Sequence, residues 1–305
     1  MTHPRKGTVL ILGGSGRFGR HATSAFQYRG WEVRQFDRAS ESLWDAAWGA
    51  DVIVNAWNPL YPDWARDVPK FTAEIIEVAK ASKATVLLPG NVYVYGEDSS
   101  DWDADTPHLA QNPLGRIRIE MEAAYRAAGI PTIILRAGDF LDTEATNTWF
   151  DRIMTTQLKR GVFTYPGDPD TPHAWAWLPD VAEAAVTLAE RRADLPRFAD
   201  IPFEGYTLTG RDMARAMEEV LARPLKVRQM NWTPLRLLAT VWPLASCLVE
   251  MRYLWNHPHR LKGDRLAAIA PELRATPLQD ALSLALKDHI HPNQPVTAAR
   301  LSFGT

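Results

Sequence analysis

The sequence predicts an α/β protein with a doubly wound parallel sheet and a smaller C-terminal region that covers a substrate cleft. Two observations predict this fold class. Short apolar runs alternate with helical patterns through the first half of the chain, and the first run passes through a glycine turn into a helix. We expect the sheet-bearing domain at residues 1–180 and a mixed, mainly helical region at residues 181–305, with some of the later chain returning to the sheet.

The first strand and its turn carry the strongest functional signal. Thr8–Leu12 is an apolar run long enough for a buried parallel strand, and a helical pattern follows the turn as far as Gly30. A helix N-terminus presents free N–H groups and positive dipole, and residues without side chains let a pyrophosphate approach. The pattern predicts a dinucleotide phosphate site, although a tight turn that binds nothing is the alternative. The candidate residues are Gly13, Ser15, Gly16, Arg17, Phe18 and Gly19.

The remaining elements follow the same alternation and then become less regular. Ligands of a parallel sheet bind at the carboxyl ends of its strands, so the site is expected at that edge. After residue 137 the pattern loosens. Strands are expected at residues 31–36, 51–56, 84–88, 131–136, 201–208 and 226–230, and helices at residues 42–48, 64–81, 115–128 and 180–192.

Composition excludes several classes of protein. The chain has 305 residues, of which 46% are apolar, and this is enough for a full core. A net charge of −2 with scattered Lys and Arg argues against a nucleic-acid surface. The single cysteine, Cys247, cannot form a disulfide within one chain and fits a reducing compartment. The basic start leads directly into the first strand without an apolar leader, so a cytoplasmic location is expected.

Residues 232–255 are strongly apolar but do not read as a membrane span. Arg236, Pro243, Glu250 and Arg252 interrupt them, so no run reaches the ~18 apolar residues that a spanning helix needs. We therefore predict a buried or pocket-covering helix pair and no membrane contact. A hydrophobic face for another protein is a weaker alternative.

Several short motifs, taken in order, resemble one enzyme family. The glycine turn fits G-x-x-G-x-x-G, and the chain later carries V-Y-G and L-R segments and the run HAWAWLPDVA. With this spacing the chain resembles the short-chain dehydrogenase/reductase superfamily, in its extended, NAD-dependent epimerase/dehydratase-like branch. The matching positions after the turn are Asn55, Ala56, Val94, Tyr95, Gly96, Leu135, Arg136, Ala137, Gly138 and residues 173–182.

The resemblance implies a Rossmann-like domain, NAD or NADP as cofactor, and an oxidoreductase, epimerase or dehydratase. It also implies a small organic or nucleotide-sugar substrate and a possible homodimer. Asn55 and Ala56 would lie where one strand end runs past the cofactor. At the end of another strand, the carboxylate of Asp37 would accept the ribose hydroxyls of NAD. Arg38 and Arg17 would instead hold the 2′-phosphate of NADP or be solvated surface residues; the balance slightly favours NAD.

The chain departs from the family where proton transfer occurs. The family's Tyr and Lys positions fall on Leu114 and Arg118, and its Ser or Thr position falls on Asn91. Leucine cannot transfer a proton, and an arginine can hold ribose hydroxyls but stays protonated. The chain is therefore expected to be an atypical member, and the alternative is a non-catalytic dinucleotide-binding sensor or scaffold.

Other side chains are then candidates for catalysis. Period-two alternation would put Asn91, Tyr93 and Tyr95 on one side, where a tyrosine activated by Arg118 would supply the phenol; alternatively, Tyr95 packs under its loop. His173 is either a proton donor or a structural hydrogen-bonding partner, on one face with Trp175 and Trp177. These tryptophans indicate a flat substrate or belong to the core.

Arg118 and Glu122, four residues apart on the predicted helix, suggest a surface ion pair. No metal site is predicted, because the acidic stretch at residues 166–170 lacks partner ligands at suitable spacing.

Overall fold

The computed structural model describes residues 6–290, so residues 1–5 and 291–305 of the two predicted regions lie outside the described residues. The predicted alternation of strands and helices is confirmed, with ends that differ by a few residues. The strands are β1 (Thr8–Leu12), β2 (Glu32–Phe36), β3 (Val52–Asn55), β4 (Thr85–Gly90), β5 (Asp101–Trp102), β6 (Thr132–Arg136), β7 (Asp139–Leu141), β8 (Val162–Tyr165), β9 (His173–Trp177), β10 (Phe198–Pro202), β11 (Tyr206–Leu208), β12 (Lys226–Gln229) and β13 (Arg260–Leu261). The α-helices are α1 (Arg17–Tyr28), α2 (Leu43–Ala47), α3 (Trp64–Ser82), α4 (Pro113–Ala128), α5 (Leu178–Glu190), α6 (Gly210–Leu221), α7 (Thr233–Leu238), α8 (Pro243–Glu250), α9 (Asp264–Ile269), α10 (Leu278–Ala285) and α11 (Lys287–Ile290).

A six-stranded parallel sheet forms the centre, with strand order β2-β1-β3-β4-β6-β10. Alternate residues of β1 enter different cores: Leu10 and Leu12 pack on one face of the sheet, and Val9 and Ile11 pack on the other. A strand covered on both faces needs apolar residues at every position, which explains the continuous run in the sequence. The predicted doubly wound α/β fold is confirmed.

The later chain returns to this sheet. β10 pairs with β6 at one edge, and α5 packs against α1 on the face beside it. The chain beyond residue 180 therefore contributes both to the main sheet and to the region that covers it. A third core, formed by residues on both sides of position 180, contains Trp175, Trp177 and Trp255, so the period-two placement of Trp175 and Trp177 on one face is confirmed.

The single strand predicted at residues 201–208 is wrong, because the chain turns within it. β10 ends at Pro202, and β11 pairs antiparallel with β9 in a separate sheet. Between them Gly205 has φ +58°, and a Cβ at this position would lie 2.0 Å from the Trp175 carbonyl oxygen. Glycine permits both the left-handed backbone and the close approach, so the apolar run divides into two strands.

The helix pair predicted at residues 232–255 exists as α7 and α8. Of its two predicted settings, burial is wrong for most of its residues, and the covering of a pocket stays a prediction. Ala245 and the following Met251 and Trp255 are buried, whereas Leu237 and Val241 are 71% and 80% exposed. Only one side of the pair meets the protein, because α8 packs against the turn before α3. Within residues 6–290, no helix is both long and apolar enough to cross a membrane.

Arg136 lies at the centre of a buried ionic network. Its guanidinium donates to both carboxylate oxygens of Glu122 at 3.1 and 2.9 Å, and its Nε donates to Asp200 at 3.1 Å. Nη1 also donates to the Asn91 carbonyl at 2.6 Å. The predicted surface pair of Arg118 and Glu122 is therefore wrong, because α4 turns Glu122 inward against the sheet to meet Arg136.

We expect Arg136→Met to lower the free energy of unfolding by roughly 3–5 kcal/mol, because it leaves two buried carboxylates without their cation. Urea unfolding followed by circular dichroism measures the loss. Arg66→Met is the matched control, since Arg66 forms exposed pairs with Asp63 and Asp67 and its removal should not shift the midpoint. Equal midpoints for the two variants would contradict the prediction.

Candidate functional site

The glycine turn has the tight geometry that its sequence predicts. Gly13 has φ +79°, and its carbonyl accepts the Gly16 N–H at 2.9 Å. A Cβ on Gly19 would lie 2.1 Å from the same carbonyl oxygen, so this position tolerates glycine alone. Two glycines are therefore required by the turn itself. Gly16 is different, because a Cβ there would meet only the Gly13 oxygen, at 3.1 Å.

The turn opens the N-terminus of α1 toward the carboxyl edge of the sheet. Gly16 is the N-cap residue, no side chain caps it, and the first turn of α1 contains no acidic residue. Ser15 and Arg17 are exposed, whereas the Phe18 side chain is buried, so Phe18 can offer a ligand only its backbone. Uncapped N–H groups and a positive helix end suit a pyrophosphate, and the residues present therefore fit a dinucleotide.

Aromatic and cationic side chains lie beside the turn, at the ends of β2 and β3. Asp37 is exposed, and its carboxylate accepts the Ala39 N–H at 2.9 Å. The Arg38 guanidinium lies 4.4 Å from the ring centroid of Trp57 and 4.9 Å from that of Phe71. Sequence analysis missed Trp57, although an aromatic residue directly after a strand end was a usable signal.

Asn55 and Ala56 form the wall next to the turn. Asn55 is buried; its Oδ1 accepts the Trp57 N–H at 3.2 Å and its Nδ2 donates to the Tyr125 hydroxyl at 3.3 Å. Ala56 is close to the turn, since its carbonyl oxygen would lie 3.2 Å from a Cβ on Gly13. Asn55 thus fixes the loop, and Ala56 lies against the glycine turn.

Leu114 and Arg118, which the sequence resemblance places at the proton-transfer positions, are both held by other parts of the protein. Leu114 is 3% exposed, and its backbone N–H donates to Glu250 Oε1 at 2.7 Å, the oxygen that also accepts from Asn112 Nδ2 at 2.8 Å. A carboxylate from α8 therefore caps the N-terminus of α4. Arg118 donates to Asn58 Oδ1 at 2.7 Å and lies 3.9 Å from the Trp64 ring centroid, and burial lowers its pKa.

The prediction that Asn91, Tyr93 and Tyr95 share one side through strand-like alternation is wrong. Val92–Val94 is a 3₁₀ turn, capped by Asn91 Oδ1, which accepts the Tyr93 N–H at 3.1 Å. The turn sends Tyr93 and Tyr95 to different surroundings. Tyr93 shares a hydrogen bond of 2.6 Å with the Tyr61 hydroxyl, whereas Tyr95 stacks on Trp102 at 4.7 Å and donates to the Asp103 carbonyl.

The surroundings of Tyr93 and Tyr95 disfavour the ionised form of both phenols. Burial raises the pKa of Tyr93 well above its usual value, and it also raises the pKa of Tyr95. Arg118 acts in the opposite direction on Tyr93, but burial outweighs it. The geometry of Tyr95 agrees with the packing alternative rather than with proton transfer.

His173 is held by packing and by one carboxylate. It is 1% exposed, its Nε2 lies 2.8 Å from Asp139 Oδ2, and its ring stacks on Trp255 with centroids 4.2 Å apart. His259 contacts its edge, with ring centroids 4.4 Å apart. These contacts match the predicted structural partner role. Sequence analysis missed Asp139, which lies three residues beyond the L-R motif and carries no motif of its own.

One cluster has metal-like composition but already holds a cation. Ligand atoms of His108, Glu122 and Asp200 lie within 4.8 Å of one another. Both carboxylates are hydrogen-bonded to Arg136, and burial together with Arg136 lowers the pKa of His108. The guanidinium takes the place of a metal ion between these carboxylates.

Comparison with known proteins identifies the fold. No protein-family model and no curated protein matches the chain. Among solved structures, MoeE5 in complex with UDP-glucose and NAD is 14% identical to this chain and superposes with a TM-score of 0.73. The match covers 94% of this chain and 100% of MoeE5. The NDP-hexosamine 5,6-dehydratase TunA is 16% identical with a TM-score of 0.72, covering 92% of this chain and 97% of its own. Human SDR39U1 with NADPH is 18% identical with a TM-score of 0.69, and the match covers 94% of this chain and 100% of SDR39U1. The chain has their Rossmann-like fold.

Asp142 fixes α1 to the loop beyond β7. Its carboxylate accepts hydrogen bonds from Arg20 and His21 of α1 and from Thr146. Burial alone would raise the pKa of Asp142, but the hydrogen bonds from His21, Thr146 and Arg20 lower it to about 2. A carboxyl group whose pKa is lower in the folded state than in the unfolded state stabilises the fold at pH values above its unfolded pKa. This contribution is lost as the pH falls through its folded pKa.

We expect Asp142→Asn to lower the free energy of unfolding by about 2 kcal/mol at pH 7, following the size of that pKa shift. The difference from the unmodified protein should shrink between about pH 4 and pH 2, because Asp142 then becomes protonated. Urea unfolding at several pH values measures this. Glu144→Gln, which removes a 60% exposed partner of Arg20, is the control. A difference that stays constant with pH would exclude the proposed ionisation.

Proposed function

We propose that the chain is an NAD(P)-dependent enzyme, an oxidoreductase or an epimerase/dehydratase of atypical type, that acts on a small organic or nucleotide-sugar substrate. The observation that carries this proposal is the uncapped N-terminus of α1 behind a glycine turn, at the carboxyl edge of a parallel sheet. Solved structures of the same fold that contain NAD or NADPH, some with UDP-sugars, support it.

A bound nicotinamide would supply a hydride acceptor or donor. The residues of this chain would hold the cofactor and exclude water. Arg17, which is exposed, and the backbone of the turn would hold the phosphates, and Arg118 is a buried cation that would hold ribose hydroxyls. The packing of α8 against the N-terminus of α4 closes the edge beyond Leu114.

A second candidate function, dinucleotide sensing without catalysis, is favoured by one observation. Leu114 and Arg118 occupy the family's proton-transfer positions and are fixed by Glu250 and Asn58. Calorimetric titration with NADH and NADPH, followed by an absorbance screen of carbonyl compounds and nucleotide sugars, separates the two functions. Turnover supports the enzyme, and binding without turnover across the screen supports the sensor.

A homodimer and a cytoplasmic location remain predictions of the sequence. An apolar groove of about 510 Å³ between α3 and α4 supports the dimer, because a second copy could cover it. Its lining includes Val68, Ile76, Ile117, Met121 and Ala124.

We expect Gly16→Val to reduce affinity for NADH and NADPH at least 100-fold, because the branched side chain would stand where the pyrophosphate must approach. The protein should still fold, since a Cβ at this position meets only one oxygen, at 3.1 Å. Gly13→Val should also abolish binding, but it disturbs the turn as well. Calorimetry measures affinity, and circular dichroism checks folding.

Leu114→Ala is the control for Gly16→Val, because Leu114 offers a dinucleotide no polar side-chain contact. It should keep nearly full affinity even though removal of a buried side chain costs stability. A folded Gly16→Val protein that binds both dinucleotides like the unmodified chain would refute the proposed cofactor site.

We expect Asp37→Ala to weaken binding of NAD more than binding of NADP, because an exposed carboxylate at the end of β2 accepts ribose hydroxyls but repels a 2′-phosphate. Arg38→Ala is the opposite variant and should weaken NADP more. Calorimetry with both oxidised cofactors gives the ratio of affinities. If neither variant changes that ratio, the ribose lies elsewhere.

A further inference from the structure

Asp139 lies where the carboxyl edge of the sheet meets the covering region. Ala137, two residues before it, donates its N–H to the carbonyl of Gly90 at the end of β4, at 3.1 Å. A Cβ on Gly138 would lie 2.1 Å from the Ala174 carbonyl oxygen, so β6 runs into β7 in close contact with β9. The Asp139 side chain is 26% exposed, which leaves it open to a ligand at this edge.

The carboxylate is held at one oxygen. Oδ2 accepts from His173 Nε2 at 2.8 Å, and the imidazole cannot turn because it lies between Trp255 and His259. His173 Nδ1 is buried and has no partner within residues 6–290, so the ring does not pass a proton to a further group there. Asp139 Oδ1 has no hydrogen bond from the described residues and is left for a ligand.

The carboxylate of Asp139 acts electrostatically on the phenol pair of Tyr61 and Tyr93, as do two cations. Asp139 contributes to raising the pKa of both Tyr61 and Tyr93, after burial as the main cause, while Arg17 and Arg118 act in the opposite direction on Tyr61. The two hydroxyls bind each other at 2.6 Å, so this pair is poorly suited to accept a proton.

We propose that Asp139 replaces the family's tyrosine as the proton-transfer group and that His173 positions it. The inference rests on the proposed function. In the oxidation direction, the substrate O–H bond breaks and its proton passes to Asp139, while the hydride leaves the carbon for the nicotinamide and the C=O bond forms. In the reduction direction, protonated Asp139 returns the proton to the oxygen.

The experiment compares four variants of the full chain. Steady-state rates are measured by absorbance with UDP-glucose and a set of small secondary alcohols, each with NAD and with NADP. Affinity for NADH and NADPH is measured by calorimetry, and the thermal midpoint checks folding. The variants are Asp139→Asn, His173→Phe, His173→Gln and the control Asp168→Asn, whose carboxylate is exposed and bonds within its own turn.

Asp139→Asn should lower kcat at least 100-fold, in the range typical of general acid–base catalysis, and leave dinucleotide affinity within about twofold. His173→Phe should lower kcat more than it changes KM, because the carboxylate loses its orientation. His173→Gln should partly restore kcat, since an amide N–H can still donate to Asp139. Asp168→Asn should match the unmodified protein.

The outcomes separate this inference from the proposed function. If Asp139→Asn turns over substrate within threefold of the unmodified protein, the inference is overturned. If His173→Phe and His173→Gln lose kcat equally, the positioning role of His173 is overturned. An unmodified protein that binds NADH or NADPH but turns over none of the probes also overturns the inference, and leaves the cofactor site standing. Failure to bind either dinucleotide overturns the proposed function itself.

Discussion

The site depends on the buried cation of Arg136. Its guanidinium joins the carbonyl after β4, the inward side of α4 and the edge strand β10 through Asn91, Glu122 and Asp200. Burying three charges costs desolvation energy, and only their mutual hydrogen bonds compensate for it. The network therefore fixes the spacing of the elements that carry Tyr93, Arg118 and Asp139. The observed hydrogen-bond partners of this arginine, which the sequence showed only as part of an L-R motif, are all within the protein.

The two residues that the sequence resemblance places at the proton-transfer positions are packed inside the protein. Leu114 is buried, and Arg118 is held by Asn58 and Trp64. The nearby phenols of Tyr61 and Tyr93 bind each other in a buried pair. At the start of β7, by contrast, the carboxylate of Asp139 is partly exposed, with one oxygen held by His173.

Local patterns predicted the local structure well. The strand, turn and first helix follow from residues that are neighbours in the chain, and the steric need for Gly13 and Gly19 follows from the turn alone. Contacts between distant residues could not be predicted this way. Arg136 and Asp200 are 64 positions apart, and Glu122 faces inward only because of that long-range pair. Asp139 has no motif because its setting comes from β9 and the covering region, and the bend at Gly205 depends on the carbonyl of Trp175.

The helices α1 and α4 begin at the same edge of the sheet, but only one of their positive ends is paired with a carboxylate. Glu250 already neutralises the start of α4, through the Leu114 N–H and the Asn112 amide. The start of α1 has no such counter-charge. Of these two helix ends, that of α1 therefore offers an anion the more favourable dipole, since that of α4 is screened by a carboxylate of the chain itself. An anion bound at this edge would accordingly place its charge at the glycine turn rather than at the start of α4.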